Sequence, residues 1–175
     1  DGLQRQPFDH ELEAARAIVG SQFFSLEEST LSVTLAAGPM IFDLGGVGKG
    51  YALDQSVPIL SDWGIRNALL NAGNSTLLAI GHANGETGWP VTLSDGAAAI
   101  TLNNEAVSGS GFQVQGAHII DPRSFEPVPP RSERTFAVAP TAALSDALST
   151  AFTILDAEQA DAICERYKGV KRLSY

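Results

Sequence analysis

Apolar and polar positions change their period several times along the chain. Over residues 8–18 the apolar positions recur at helical spacing, with Leu12, Ala15 and Val19 on one face and Asp9 as the expected N-cap. Residues 31–35 alternate and predict a strand, with residues 40–42 as its partner across Gly38-Pro39. Residues 48–63 return to helical spacing, with Pro58 placed to kink the helix. Short strands are expected at 68–70, 76–80, 90–93, 98–102, 118–120 and 135–138, and two closing helices at 142–155 and 157–167. Strands cluster in mid-chain with helices outside them. The expected class is therefore α+β: a mixed, largely antiparallel sheet with helices packed outside it.

Composition narrows this picture. Residues 1–175 contain 44% hydrophobic and 18% charged residues, a globular balance long enough for one domain with a real core. The formal charge of −9 argues against nucleic acid or an anionic membrane as a partner held by bulk charge. A phosphate ligand would need a metal ion or a few placed cations to overcome that background. The single Cys164 excludes an internal disulfide framework and a Cys-rich zinc site. No apolar run approaches the roughly 20 residues of a membrane-spanning helix, and no targeting segment lies within this sequence.

Three segments could carry chemistry. The first is Phe42-Asp43-Leu44-Gly45-Gly46-Val47-Gly48-Lys49-Gly50-Tyr51-Ala52, four glycines between a strand and a helix. Glycines let backbone approach a ligand closely, and a helix start offers N–H groups to an anion. The spacing fits neither the P-loop nor the dinucleotide fingerprint, and a tight packed turn is the simpler alternative. The second is the segment around Asp146 and Thr150, which stand at i, i+4 on one helix face and could both reach one hard cation. A solvated Asp146 beside a packing Thr150 reads the same spacing. On the helical reading, Leu144, Leu148, Ala151 and Leu155 are the positions expected to bury this helix. The third is His118-Ile119-Ile120-Asp121-Pro122-Arg123, where His118 could stack or hydrogen-bond and Arg123 could fork onto phosphate. An ordinary strand end and turn would look alike. A Gly-x-Ser-x-Gly elbow is absent, which leaves a Ser/His/Asp hydrolase without support.

Taken together and in order, these segments resemble the FAD:protein FMN transferase (ApbE) family. The likeness runs through Asp43-Leu44-Gly45-Gly46-Val47-Gly48-Lys49-Gly50-Tyr51-Ala52, Asn71-Ala72-Gly73, Ala106-Val107-Ser108 with Ser110-Gly111, His118-Ile119-Ile120-Asp121-Pro122-Arg123, and the segment around Asp146 and Thr150. The resemblance implies Mg²⁺-dependent transfer of FMN from FAD onto a Ser or Thr hydroxyl of a target flavoprotein, releasing AMP. It implies metal ligands at the Gly46 carbonyl, Asp146 and Thr150, and catalytic roles for Asp146, Lys49 and His118. Contacts to flavin and phosphates fall by the same likeness to Asp43, Lys49, His118, Ile119 and Arg123. It further implies a periplasmic or cell-envelope location, and that this chain matches the C-terminal portion of the usual family length, a partner or further segment supplying the rest of the FAD pocket. Two alternatives share these residues: an FAD pyrophosphatase giving FMN and AMP, and a non-catalytic FAD-binding or interaction module. The sequence departs from the family pattern in two places. Asn71-Ala72-Gly73-Asn74-Ser75 stands where the family has Asn-Ala-Gly-Gly-Asp, and Arg123-Ser124-Phe125 where it has Arg-Thr-Gly.

Overall fold

The computed structural model describes residues 7–175 apart from 37, 39, 74, 95–98, 112–118, 131 and 132. Its described residues form four α-helices, α1 (Asp9–Arg16), α2 (Gly48–Asp62), α3 (Ala142–Ile154) and α4 (Ala157–Arg166). Its strands are β1 (Phe24–Glu27), β2 (Ser32–Leu35), β3 (Ala68–Ala72), β4 (Thr76–Ile80), β5 (Trp89–Val91), β6 (Ile100–Leu102), β7 (Ala106–Ser110), β8 (Ile120–Asp121), β9 (Glu126–Pro127), β10 (Thr135–Ala139) and β11 (Lys171–Ser174). The expected α+β class holds, and every described strand pairing is antiparallel. No helix among the described residues is long and apolar enough to cross a membrane. The chain divides into two compact units, Asp1–Asp43 with Pro122–Phe125, and Leu44–Asp121 with Glu126–Tyr175.

The first unit departs from the sequence expectations in three ways. Phe8, rather than Asp9, occupies the cap position of α1, and its N–H donates to Glu11 Oε2 at 2.8 Å. Asp9 instead lies in the first turn, where a carboxylate still complements the helix dipole. The expected apolar face is not buried: Leu12 and Val19 are exposed, as are Leu26, Leu31 and Val33. β2 pairs with β1, Phe24 opposite Leu35 and Glu27 opposite Ser32, and not with residues 40–42. The reason is local. Ser29 donates from both N–H and hydroxyl to Glu27 Oε1, at 3.1 and 2.7 Å, closing a short turn on the N-terminal side of β2. Those bonds hold the Glu27 carboxyl below its ordinary range, the Ser29 hydroxyl contributing most. No described residue of this unit is buried.

In the second unit the strands form a five-stranded sheet in the order β11-β10-β7-β4-β3, and a separate β5–β6 hairpin packs nearby. Alternation sorts side chains onto two faces. Leu77 and Ala79 of β4, Val107 of β7, and Phe136 and Val138 of β10 join Val91, Leu93 and Leu102 in one apolar cluster. The opposite face carries Thr76 and Leu78, Ala106 and Ser108, and Ala137 and Ala139, and receives α2 and α3. Small side chains on that face let α3 lie close to β7 and β10. The central strand β7 and the edge strand β11 escaped the sequence reading. β7 reads Ala-Val-Ser-Gly-Ser, poor in β-branched and aromatic residues, and β11 reads Lys-Arg-Leu-Ser, a charged edge. The buried side of α3 also differs from the leucine stripe expected. Ala142, Ser145, Asp146, Ser149, Phe152 and Thr153 are buried, whereas Leu144, Leu148 and Leu155 are half-buried against a neighbouring cluster.

Candidate active site at the crossing of two helices

The glycine-rich turn leads into α2 through Val47 N–H and Gly48 N–H, which both bond to the Leu44 carbonyl, at 3.0 and 2.7 Å. Val47 occupies the cap position and offers no side-chain acceptor, so the first turn of α2 must find acceptors elsewhere. One comes from α3. The Asp146 carboxylate accepts from Gly50 N–H through Oδ2 at 3.1 Å, placing a negative group at the positive end of α2. Gly50 is glycine because α3 crosses here: a Cβ would run into the Ala142 carbonyl oxygen. The crossing is reciprocal. Asp54, one turn along α2, accepts from the Ala142 and Ala143 N–H groups through Oδ1 and Oδ2, each at 2.8 Å, and so caps the start of α3.

Asp146 is 4% exposed, so its carboxylate needs compensation from protein groups. Thr76 donates its hydroxyl to Oδ1 at 3.1 Å, and Lys49 Nζ lies 3.5 Å from the same oxygen. Lys49 Nζ also donates to the Gly45 carbonyl at 3.1 Å, which fixes the cation over the turn. A line of hydroxyls supports this group from beneath. Ser108 donates to Thr76 at 3.2 Å, and Ser145 Oγ reaches both Ser108 Oγ at 2.9 Å and the Ala137 carbonyl at 2.7 Å. Among the described residues no buried side-chain polar atom lacks a partner. Such a fully satisfied network holds its members in one arrangement.

One turn further along α3, Thr150 Oγ1 shares a hydrogen bond with Ser110 Oγ at 3.1 Å, and Ser110 also meets Ser149 at 2.9 Å. A Cβ built on Gly46 would lie 3.8 Å from Thr150 Oγ1, so the glycine turn passes close to that hydroxyl. The second unit therefore brings Gly46, Lys49, Asp146 and Thr150 together. A carboxylate has about four acceptor positions, and Gly50, Thr76 and Lys49 engage three. The remaining capacity, with a neighbouring hydroxyl and turn carbonyls, is an all-oxygen donor set of the kind hard cations take. No cluster of three or more His, Cys, Asp or Glu suited to a metal occurs among the described residues. A cation here would thus draw on one carboxylate and on oxygens from elsewhere, including substrate phosphate.

Ile119 is buried with Val128 and Ile154, and its carbonyl accepts from Val128 N–H at 2.8 Å. Asp43 and Arg123 belong to the first unit. Phe125 there has φ +61°, the left-handed region, and lies under the Arg16 guanidinium, 5.4 Å from its ring centre. Gly73 also has a positive φ, +62°, where the chain turns from β3 into β4. His118 lies outside the described residues, as does Asn74. Sequence reasoning missed Asp54 and Thr76. An acidic residue four positions after Gly50 was the available signal for Asp54, and nothing local marks Thr76.

Comparisons with known proteins bear on the family of the chain. A family model described as the ApbE family matches residues 1–173. An FAD:protein FMN transferase of Haemophilus influenzae is 28% identical over 181 residues, covering 93% of this chain and 52% of that protein. One of Klebsiella pneumoniae is 33% identical over 133 residues, covering 67% of this chain and 40% of that protein. Among solved structures, the ApbE protein of Thermotoga maritima superposes with a TM-score of 0.77 at 28% identity, covering 97% of this chain and 59% of that one. A mutant of the flavin transferase ApbE of Vibrio cholerae reaches 0.80 at 22% identity, a likeness of fold. The chain spans about half the length of the curated relatives it matches. With the family model covering nearly every residue and the glycine turn meeting Asp146 and Thr150 in space, this chain belongs to the ApbE family.

Proposed function

We propose that this chain carries the metal and phosphate site of an FAD:protein FMN transferase. The acceptor is a Ser or Thr hydroxyl of a target flavoprotein. Its oxygen bonds to the phosphorus of the FMN half of FAD, the P–O bond to the AMP half breaks, and AMP leaves. The hydroxyl proton passes to a base or to solvent. The observation that carries this reading is the convergence of Asp146, Lys49, Thr150 and the glycine turn at one helix crossing.

The residues present fit Mg²⁺, since their donors are hard oxygens and include one buried carboxylate. Asp146, Thr150 and the Gly46 carbonyl would hold it; when bound it supplies charge neutralisation on phosphate oxygens. Lys49 contributes a second positive charge beside Asp146, where an acidic chain otherwise repels a dinucleotide. The reading gives His118 a place beside the flavin, and Asp43, Ile119 and Arg123 contacts to flavin or phosphate. It also includes a periplasmic or cell-envelope location and a further segment or partner that completes the FAD pocket.

The test uses the full natural polypeptide with FAD, Mg²⁺ and an acceptor flavoprotein. A protein band that stays fluorescent after denaturation, with one AMP released per flavin attached, is the expected result. Free FMN and AMP without a labelled band would make the protein a pyrophosphatase. Bound FAD with no AMP released would make it a binding module.

A further inference from the structure

We propose that Asp54 is a positioning residue whose hydrogen bonds to the start of α3 set the place of the Asp146 carboxylate. The inference rests on the proposed metal and phosphate site for its consequence, but on the helix crossing alone for its geometry.

Three observations carry it. Asp54 spans two successive N–H groups, Ala142 and Ala143, with one carboxylate oxygen each at 2.8 Å. Both groups belong to the first turn of α3, where no intrahelical acceptor exists. Thr141, the cap residue itself, covers only Leu144 N–H, at 3.3 Å. Asp146 stands one turn beyond Ala142, so its carboxylate moves with the turn that Asp54 holds. In the other direction, Asp146 is tied to Gly50, which lies one turn before Asp54 on α2. The two helices thus exchange carboxylates: each supplies the acceptor for the other's N-terminus. Gly50 sets how closely they approach, because a Cβ there would meet the Ala142 carbonyl.

A reciprocal clamp of this kind has a consequence that a simple cap lacks. Removing the Asp54 carboxylate frees the start of α3 to slide or tilt over Gly50. Asp146 then stays buried beside Thr76, but its bond to Gly50 loosens and its carboxylate is no longer held in one place. A hard cation with few protein ligands is sensitive to such a change, because misplacing one ligand weakens most of its protein contact. Both Asp54 carboxylate oxygens are taken by α3 amides, so its part in the site is positioning.

Gly50 N–H reports the clamp without metal or substrate. In ¹⁵N-labelled protein in Mg²⁺-free buffer, Asp54→Ala is expected to shift the Gly50 amide resonance and speed its hydrogen exchange roughly tenfold, the scale of one lost cap. The Gly109 amide, bonded to the Ser75 carbonyl at 2.7 Å in the sheet, should keep its protection. Asp54→Asn, which retains one carbonyl acceptor, should fall between the two, and it carries the comparison if the alanine variant does not fold. With metal and FAD present, the Mg²⁺ concentration giving half-maximal AMP release should rise about tenfold while the maximal rate recovers at saturating Mg²⁺. A lowered melting temperature with an unmoved Gly50 amide would overturn the proposal and leave Asp54 a helix cap. Parent protein that releases no AMP, with Gly50 still responding to Asp54, would overturn the transferase reading and leave the clamp standing.

Discussion

On one face of the five-stranded sheet, Ala79, Val107, Phe136 and Val138 pack with Val91, Leu93 and Leu102. On the other, Thr76, Ser108, Ser110 and Ala137 meet Ser145, Asp146 and Ser149 of α3. The same strands supply both, one residue apart, so the difference arises from alternation and not from separate regions of sequence. The apolar face contributes stability through area removed from water, and tolerates change in proportion to the volume lost. The α3 face combines apolar contacts of Ala137, Ala139 and Phe152 with hydrogen bonds between short side chains. Those hydrogen bonds fix where one carboxylate stands. The cluster around Phe136 and the network around Asp146 thus lie on two faces of a single sheet.

Breaking the apolar face should give the largest effect on stability. Phe136→Ala is expected to cost about 3–5 kcal/mol, read by urea unfolding. Its Gly50 amide should keep the parent position below the melting transition. A moved Gly50 resonance would mean that the two faces are not independent.

Gly50→Ala attacks the other face by overpacking, because backbone of Ala142 must move to admit the methyl group. A loss of about 1–3 kcal/mol is expected. Unlike Phe136→Ala, it should abolish the rise in melting temperature with Mg²⁺ and FAD that the proposed site predicts, in otherwise folded protein. Retention of that response would show that α3 can retreat without disturbing Asp146.

A position outside both faces sharpens the contrast. Phe125 has φ +61°, a conformation that costs an L-residue about 1–2 kcal/mol and glycine almost nothing. Phe125→Gly also loses the Arg16 contact and gains unfolded-state entropy, so its net effect should be small. Phe125→Ala keeps the strain and loses the ring, and should be less stable than Phe125→Gly by about 1 kcal/mol. Equal stabilities would mean that the turn changes its backbone when the ring is removed.

The smallest effect concerns Cys164, half-buried beside α3 in the cluster with Phe152 and Ala160. Burial raises its thiol above the ordinary range, Arg172 opposing and Asp161 adding to the shift. Because the folded state disfavours the thiolate, this group's contribution to stability is full at neutral pH and is lost as pH rises through the raised value. Alkylation by iodoacetamide at pH 8 should accordingly be slower than for the unfolded chain. Equal rates would contradict the burial.

Much of the fold was legible because periodicity is a local signal. α2, α3 and α4 and the strands β3, β4 and β10 lie close to where the pattern predicts them. β7 was not, since a strand of Ala, Ser and Gly owes its place to close helix packing and not to propensity. The leucines of α3 misled for the same reason: the deepest positions hold Ser and Asp, which a sheet of small residues accommodates through hydrogen bonds. The spacing of Asp146 and Thr150 put them on one helix face, and the family resemblance joined them to Gly46 and Lys49. Thr76 and Asp54 were not legible as site residues. Thr76 meets a carboxylate 70 positions away, and Asp54 meets amides 88 and 89 positions away, so only the register of the sheet and the helix crossing brings them in.

The most direct test of the central claim is the thermal response of Asp146→Asn to Mg²⁺ with FAD. Asparagine keeps the shape and an acceptor oxygen but removes the charge that a hard cation requires. The parent should gain melting temperature with Mg²⁺ plus FAD; the variant should fold, lack that rise and release no AMP, while Thr150→Val weakens the same response less. If Asp146→Asn keeps the full Mg²⁺-dependent rise, the cation is held elsewhere and the site at this helix crossing is wrong.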